Sequence, residues 1–156
     1  MNIANKMKSD LKLKELYPVF AADVDDFLIK LERLGYSVGI FSGWRTFSEQ
    51  NDLYAKGRTK EGSIVTNAKA GESWHCYGTA CDVVFRDAYG NWTWDEPTPG
   101  DWDRLGEISK GFKLHWGGTF NDKPHFERNF GTTLEQCKKV YEDEGLHAVW
   151  KLFDKA

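Results

Sequence analysis

The sequence predicts an α+β fold in a single compact domain. Three observations point there. Apolar side chains recur at steps of three and four over residues 16–34, two short runs at 36–41 and 81–85 have the alternation or apolarity of strands, and no repeat, linker or low-complexity stretch divides the 156 residues. A composition that is 40% hydrophobic and 15% aromatic suffices for one core of ordinary size.

Leu16, Val19, Phe20, Val24, Phe27, Leu28, Leu31 and Leu34 form the apolar stripe of a helix that stops at Gly35. Tyr36–Phe41 follows as a strand and runs into Ser42-Gly-Trp-Arg45. Thr46 with Glu49 makes a capping box, so a second helix is expected over about 47–56, ending at Gly57. Residues 57–71 are polar and glycine-punctuated and read as a loop, with at most a short strand at Ile64-Val65.

Cys81–Phe85 has the apolarity of a central strand. Residues 86–100 form a turn-rich excursion whose Asp87, Asn91 and Asp95 do not match the spacing of an EF-hand loop, so a solvated loop is expected. Trp102, Leu105 and Ile108 suggest a short helix, and Phe112–Trp116 a strand. Thr133 and Gln136 make a second capping box for a helix that yields at Gly145; Leu146, Val149, Trp150 and Phe153 then mark a last amphipathic helix, for core or membrane contact.

The net charge of −3 comes from 24 acidic and 21 basic residues interspersed along the chain, which argues against a nucleic-acid partner. No apolar run reaches the roughly 20 residues that span a bilayer, so stable membrane insertion is not expected. The first residues lack the apolar core of a signal peptide, and synthesis in the cytoplasm is expected. Three cysteines, at 76, 81 and 137, make a poor disulfide framework and read as free thiols.

Metal-ligating residues gather in two places, Ser73-Trp-His-Cys-Tyr-Gly-Thr-Ala-Cys-Asp82 and Asn121-Asp-Lys-Pro-His-Phe-Glu127. A catalytic zinc site needs three such ligands and one open position. On one straight strand His75 and Asp82 would lie on opposite faces, about 23 Å apart. To share an ion the chain must turn between them, and Gly78 permits that turn. Cys76 and Cys81 are softer alternatives to Asp82. In the second cluster Pro124 favours an extended loop or strand start, from which His125 would ligate and Asp122 would serve as a general base. Glu127 is the alternative base, or a carboxylate orienting an imidazole. His115 is a candidate for a supporting or substrate-side role, while His147 is set aside.

Ser73-x-His75-x-x-Gly78-x-Ala80-x-Asp82 resembles the signature of the D-alanyl-D-alanine metallopeptidases and LAS-type zinc peptidases. Trp116-Gly-Gly-x-Phe-x-Asp122-x-Pro-His125-Phe-Glu127 is similar to the closing motif of their L-alanyl-D-glutamate peptidase branch, found among phage endolysins. Ser42-Gly-Trp-Arg45-Thr, Leu53-Tyr-Ala-Lys-Gly-Arg58-Thr and Ile64-Val-Thr-Asn-Ala68 also resemble that branch, so the match runs in order over about 40–127. Glu61 and Ala70 stand where relatives commonly carry proline, and the cysteines are not motif positions.

The resemblance implies a small central antiparallel sheet carrying the zinc site and flanked by helices, as in D-Ala-D-Ala peptidases and hedgehog domains. It implies one Zn2+ held by His75, Asp82 and His125, with Asp122 as general base and Arg45 binding substrate and steadying the oxyanion. Ser73 and Gln50 are further substrate candidates, and Glu127 and His115 supporting residues. The implied reaction is hydrolysis of the L-Ala–D-Glu bond of bacterial peptidoglycan by a monomer with no separate wall-binding domain. Such an endolysin would wait in the host cytoplasm until a separate membrane-permeabilising factor admits it to the wall. Two alternatives share the zinc site: a D-alanyl-D-alanine carboxypeptidase or dipeptidase, and a zinc-stabilised binding module without activity.

Overall fold

The computed structural model describes residues 3–156. Helix α1 (Ile3–Lys14) is followed by α2 (Pro18–Arg33), β1 (Val38–Ser42), α3 (Phe47–Ala55), β2 (Ala80–Arg86), β3 (Trp92–Thr93), α4 (Asp101–Ser109), β4 (His115–Trp116), β5 (His125–Glu127), α5 (Leu134–Glu144) and α6 (Leu146–Asp154). The sheet runs β1-β2-β5-β4, with β3 also paired to β2, and its pairings are all antiparallel.

Core formation follows the helical and strand periods. Leu16, Phe20, Val24, Phe27 and Leu31 are buried from α2 and the turn before it, against Val83 and Phe85 of β2 and Phe126 of β5. Val19 and Leu34, expected in that stripe, lie on its solvent flank and are 47% and 51% exposed. Both predicted capping boxes are present, Thr46 with Glu49 on α3 and Thr133 with Gln136 on α5. Ile64 and Val65 are exposed and in no strand. The predicted strand over 112–116 shrinks to β4, because a 3-10 turn over Lys110–Phe112 and a left-handed Lys113 occupy its first half.

Helix α1 has no counterpart in the sequence pattern. It covers the outer edge of β1, where the Ser9 hydroxyl accepts the otherwise unpaired N–H of Ile40 at 2.9 Å. Capping an edge strand in this way blocks further strand pairing. The last helix, α6, serves the core: Val149 and Phe153 are buried, the Tyr17 hydroxyl donates to Asp154, and the Trp150 indole donates to the Tyr77 carbonyl at 2.8 Å. Among the described residues no helix is long and apolar enough to cross a membrane.

Candidate metal centre

Three chain segments converge at the middle of the sheet, where β2 pairs with β5. Ser73 accepts the His75 N–H and starts a 3-10 turn, Trp74–Tyr77, which Gly78 ends in the left-handed region at φ 75°. That reversal returns the chain into β2, so His75 ends up beside Asp82. Asp82 stands opposite His125 on β5 in the antiparallel register. On the other side it faces Ser42, after an irregularity between Ile40 and Ser42 that shifts the end of β1 by one residue. Bulges of this kind re-aim side chains next to functional sites.

His75 Nε2 lies 3.4 Å and His125 Nδ1 3.3 Å from Asp82 Oδ1. The three donor atoms all fall within 4.8 Å of one another. Ligands bound at about 2.0–2.1 Å in a tetrahedral array sit roughly 3.4 Å apart, so this donor set has the dimensions of a zinc-type cation site. The remaining ring nitrogens fix the tautomers. His75 Nδ1 donates to the Gly43 carbonyl at 2.6 Å, and His125 Nε2 donates to Glu127 Oε2 at 2.8 Å. Once its Asp82-facing nitrogen is deprotonated, each imidazole would aim a lone pair at the same point.

The electrostatics ask for positive charge there. Burial works to raise the Asp82 pKa, but the charge of His75 and hydrogen bonds from His125 and His75 hold it well below the carboxylate range. Burial works to lower that of His125, yet hydrogen bonds to Asp82 and Glu127 push it up to about 9. In the metal-free protein a proton therefore supplies part of the charge that a cation would bring.

Asp122 follows a tight turn, its N–H donating to Gly117 O at 2.8 Å, and places Oδ2 3.9 Å from His125 Nδ1. Its carboxylate is half-exposed, and partial burial raises its pKa. Arg45 donates from Nη2 to Asp82 Oδ2 at 3.1 Å, from Nη1 to Gln50 Oε1 at 3.2 Å and from Nε to Ser42 Oγ at 3.2 Å. Gln50 is fully buried, with its amide nitrogen on Ala68 O. Expected as a substrate contact, Gln50 in this structure braces the Arg45 guanidinium from behind.

Ser73 acts locally through its bond to the His75 N–H. His115 is exposed, paired across the strands with Glu127, and stacks on the Phe120 ring that also packs on His125. Cys76, Cys81 and Cys137 are buried free thiols. Cys81 points into the core from the face of β2 opposite Asp82, and burial pushes its thiol up, so it is no ligand. The Gly43 carbonyl escapes sequence reasoning because a backbone acceptor leaves no side-chain signal.

Comparisons with known proteins identify the family and the fold. Residues 66–128 match the family model described as D-alanyl-D-alanine carboxypeptidase. The peptidoglycan L-alanyl-D-glutamate endopeptidase CwlK of Bacillus subtilis is 38% identical over 122 residues, covering 72% of this chain and 73% of that protein. Among solved structures, the fold is similar to the Serratia marcescens L-Ala D-Glu endopeptidase ChiX, with a TM-score of 0.56 at 21% identity, over 78% of this chain and 86% of that one. It is also similar to the Zn(II) complex of the vancomycin-resistance D,D-pentapeptidase VanY, with a TM-score of 0.52 at 17% identity, over 86% and 80% of the two chains. The chain is therefore a hydrolase and belongs to the same metallopeptidase family as the Bacillus subtilis enzyme.

Proposed function

We propose that the protein is a zinc-dependent endopeptidase that hydrolyses the L-Ala–D-Glu bond of the peptidoglycan stem peptide. The observation that carries this reading is the His75–Asp82–His125 donor set with the half-exposed carboxylate of Asp122 beside it. Bound there, Zn2+ would polarise the peptide carbonyl and acidify a water molecule.

The chain's own residues supply the rest. Asp122, with its raised pKa, takes a proton from the attacking water and returns it to the leaving amine. Arg45 is locked by Ser42, Gln50 and Asp82 with its guanidinium at the cleft, where it faces the developing negative charge. One cleft ends on Arg45 and Asp82, and a second, lined by Ile64–Asn67 and Phe120–Asp122, ends on the base. A chain laid across the ligands has room on both sides of the scissile bond, which favours an endopeptidase over a carboxypeptidase.

The finer role proposed is that of an endolysin, synthesised in a host cytoplasm and acting on the wall; the aspartate at position 122 within its closing motif supports it. Lysis of outer-membrane-stripped cells by the purified protein tests the assignments. Asp122→Ala is expected to lower lysis by about 10²–10⁴-fold with zinc retained, and His75→Ala to lose both zinc and activity. Unimpaired lysis by Asp122→Ala would contradict the reading.

A further inference from the structure

The excursion over 86–100, which the sequence marks only as a loop, carries an ordered feature outside the chemistry described above. Strand β3 pairs Trp92 with Arg86 and Thr93 with Phe85, and the buried Trp102 indole donates to the Trp94 carbonyl at 3.3 Å. The Trp94 ring is thereby held against Phe41, edge to face, with centroids 5.0 Å apart and planes at 70°. Phe41 comes from the irregular end of β1, just before Ser42 meets Asp82. Both rings stay 47% exposed, and among the described residues the Trp94 indole N–H makes no hydrogen bond.

These rings line the same cleft of about 450 Å³ that ends on Arg45 and Asp82. Two half-exposed aromatic rings fixed against each other, with a free donor at their edge, suit a ligand with one apolar face and hydroxyl or amide groups around its rim. A pyranose ring has that shape.

Direction follows from the chemistry. The proton from Asp122 goes to the leaving amine, so the amine side of the bond lies toward Asp122 and the acyl side extends across the ligands into the opposite cleft. On the acyl side of an L-Ala–D-Glu bond a peptidoglycan stem carries only the alanine and the lactyl group of its amino sugar.

We propose that Phe41 and Trp94 form a saccharide platform for the N-acetylated amino sugar that bears the stem peptide, so that the enzyme selects glycan-attached stems over free ones. This rests on the endopeptidase reading. It adds a specificity determinant that acts through substrate binding: the sugar stacks on the rings and the Trp94 indole donates to its acetamido or hydroxyl oxygen.

The test compares kcat/KM of the zinc-loaded enzyme on a disaccharide-tetrapeptide and on the same tetrapeptide without sugar. Wild type is expected to prefer the glycan-linked substrate by about tenfold, mainly through KM, and Trp94→Ala to narrow the ratio to about twofold or less. Phe41→Ala, with unchanged zinc content and thermal midpoint, is expected to do the same. Titration with the peptide-free disaccharide should quench tryptophan fluorescence in wild type and not in Trp94→Ala. Equal rates on both substrates in wild type, or a tenfold ratio that survives both substitutions, would overturn the platform while leaving the endopeptidase assignment intact. Cleavage of neither substrate would instead remove the functional reading itself.

Discussion

His125 serves two carboxylates at once, with Nδ1 3.3 Å from Asp82 and Nε2 2.8 Å from Glu127. Its raised pKa, about 9 against an ordinary 6.5, means that zinc must displace a proton to bind. Below that pKa the metal competes with one proton, so its affinity should rise about tenfold per pH unit, roughly hundredfold between about pH 6 and about pH 8. Competition with a chelator across that range measures this, and a pH-independent affinity would show that the proton is not there. In the metal-free protein the sign is opposite. A group whose pKa is raised by folding stabilises below its unfolded value, so this contribution is present below about pH 6.5 and fades as pH rises through about 9. Glu127 orients the imidazole without touching the metal point. Glu127→Ala should weaken zinc binding by roughly 10- to 100-fold, the range typical of such supporting carboxylates. An unchanged affinity would mean that the ring is held by packing alone.

At the scale of elements, the short strand β4 is placed by one side chain. Trp116 lies between Gly106 of α4 and Gly118, where an added Cβ would come within 2.3 Å and 2.2 Å of its ring, and its indole donates to the Lys123 carbonyl at 2.7 Å. The same contacts fix the turn that presents Asp122. Gly106→Ala should destabilise the fold by about 1–3 kcal/mol, read as a lower denaturant midpoint, because the ring would have to leave its place between the two glycines. Sequence signals for elements were uneven for physical reasons. The capping boxes at Thr46 and Thr133 are local hydrogen-bond patterns and were readable directly. Helix α1 was not, because it buries Ser9 and leaves Ile3, Met7 and Leu11 exposed, the reverse of an ordinary amphipathic face. The irregularity that turns Phe41 and Ser42 toward the cleft depends on pairing with β2, and such pairing is a long-range choice that no local window contains.

Across the whole molecule the donor set depends on remote packing. His75 is carried by a 3-10 turn that α6 braces through the bond from Trp150 to Tyr77, and Asp82 and His125 are fixed by sheet register. The residue types and their order along the chain made His75, Asp82 and His125 candidates, and the fold brings their donor atoms within 4.8 Å. What the chain could not announce was how neighbours would be used: Gln50 turned inward behind Arg45, Gly43 offering its carbonyl to His75, and Trp94 brought back onto Phe41. Each depends on segments far apart in sequence. We propose that this assembly cuts an internal bond of the stem peptide with a metal in place. Mass spectrometry of purified peptidoglycan digested with and without a chelator tests it most directly. A new amino-terminal D-Glu that appears only when chelator is absent is the predicted result, whereas release of terminal D-Ala alone, or cleavage that ignores the chelator, would contradict it.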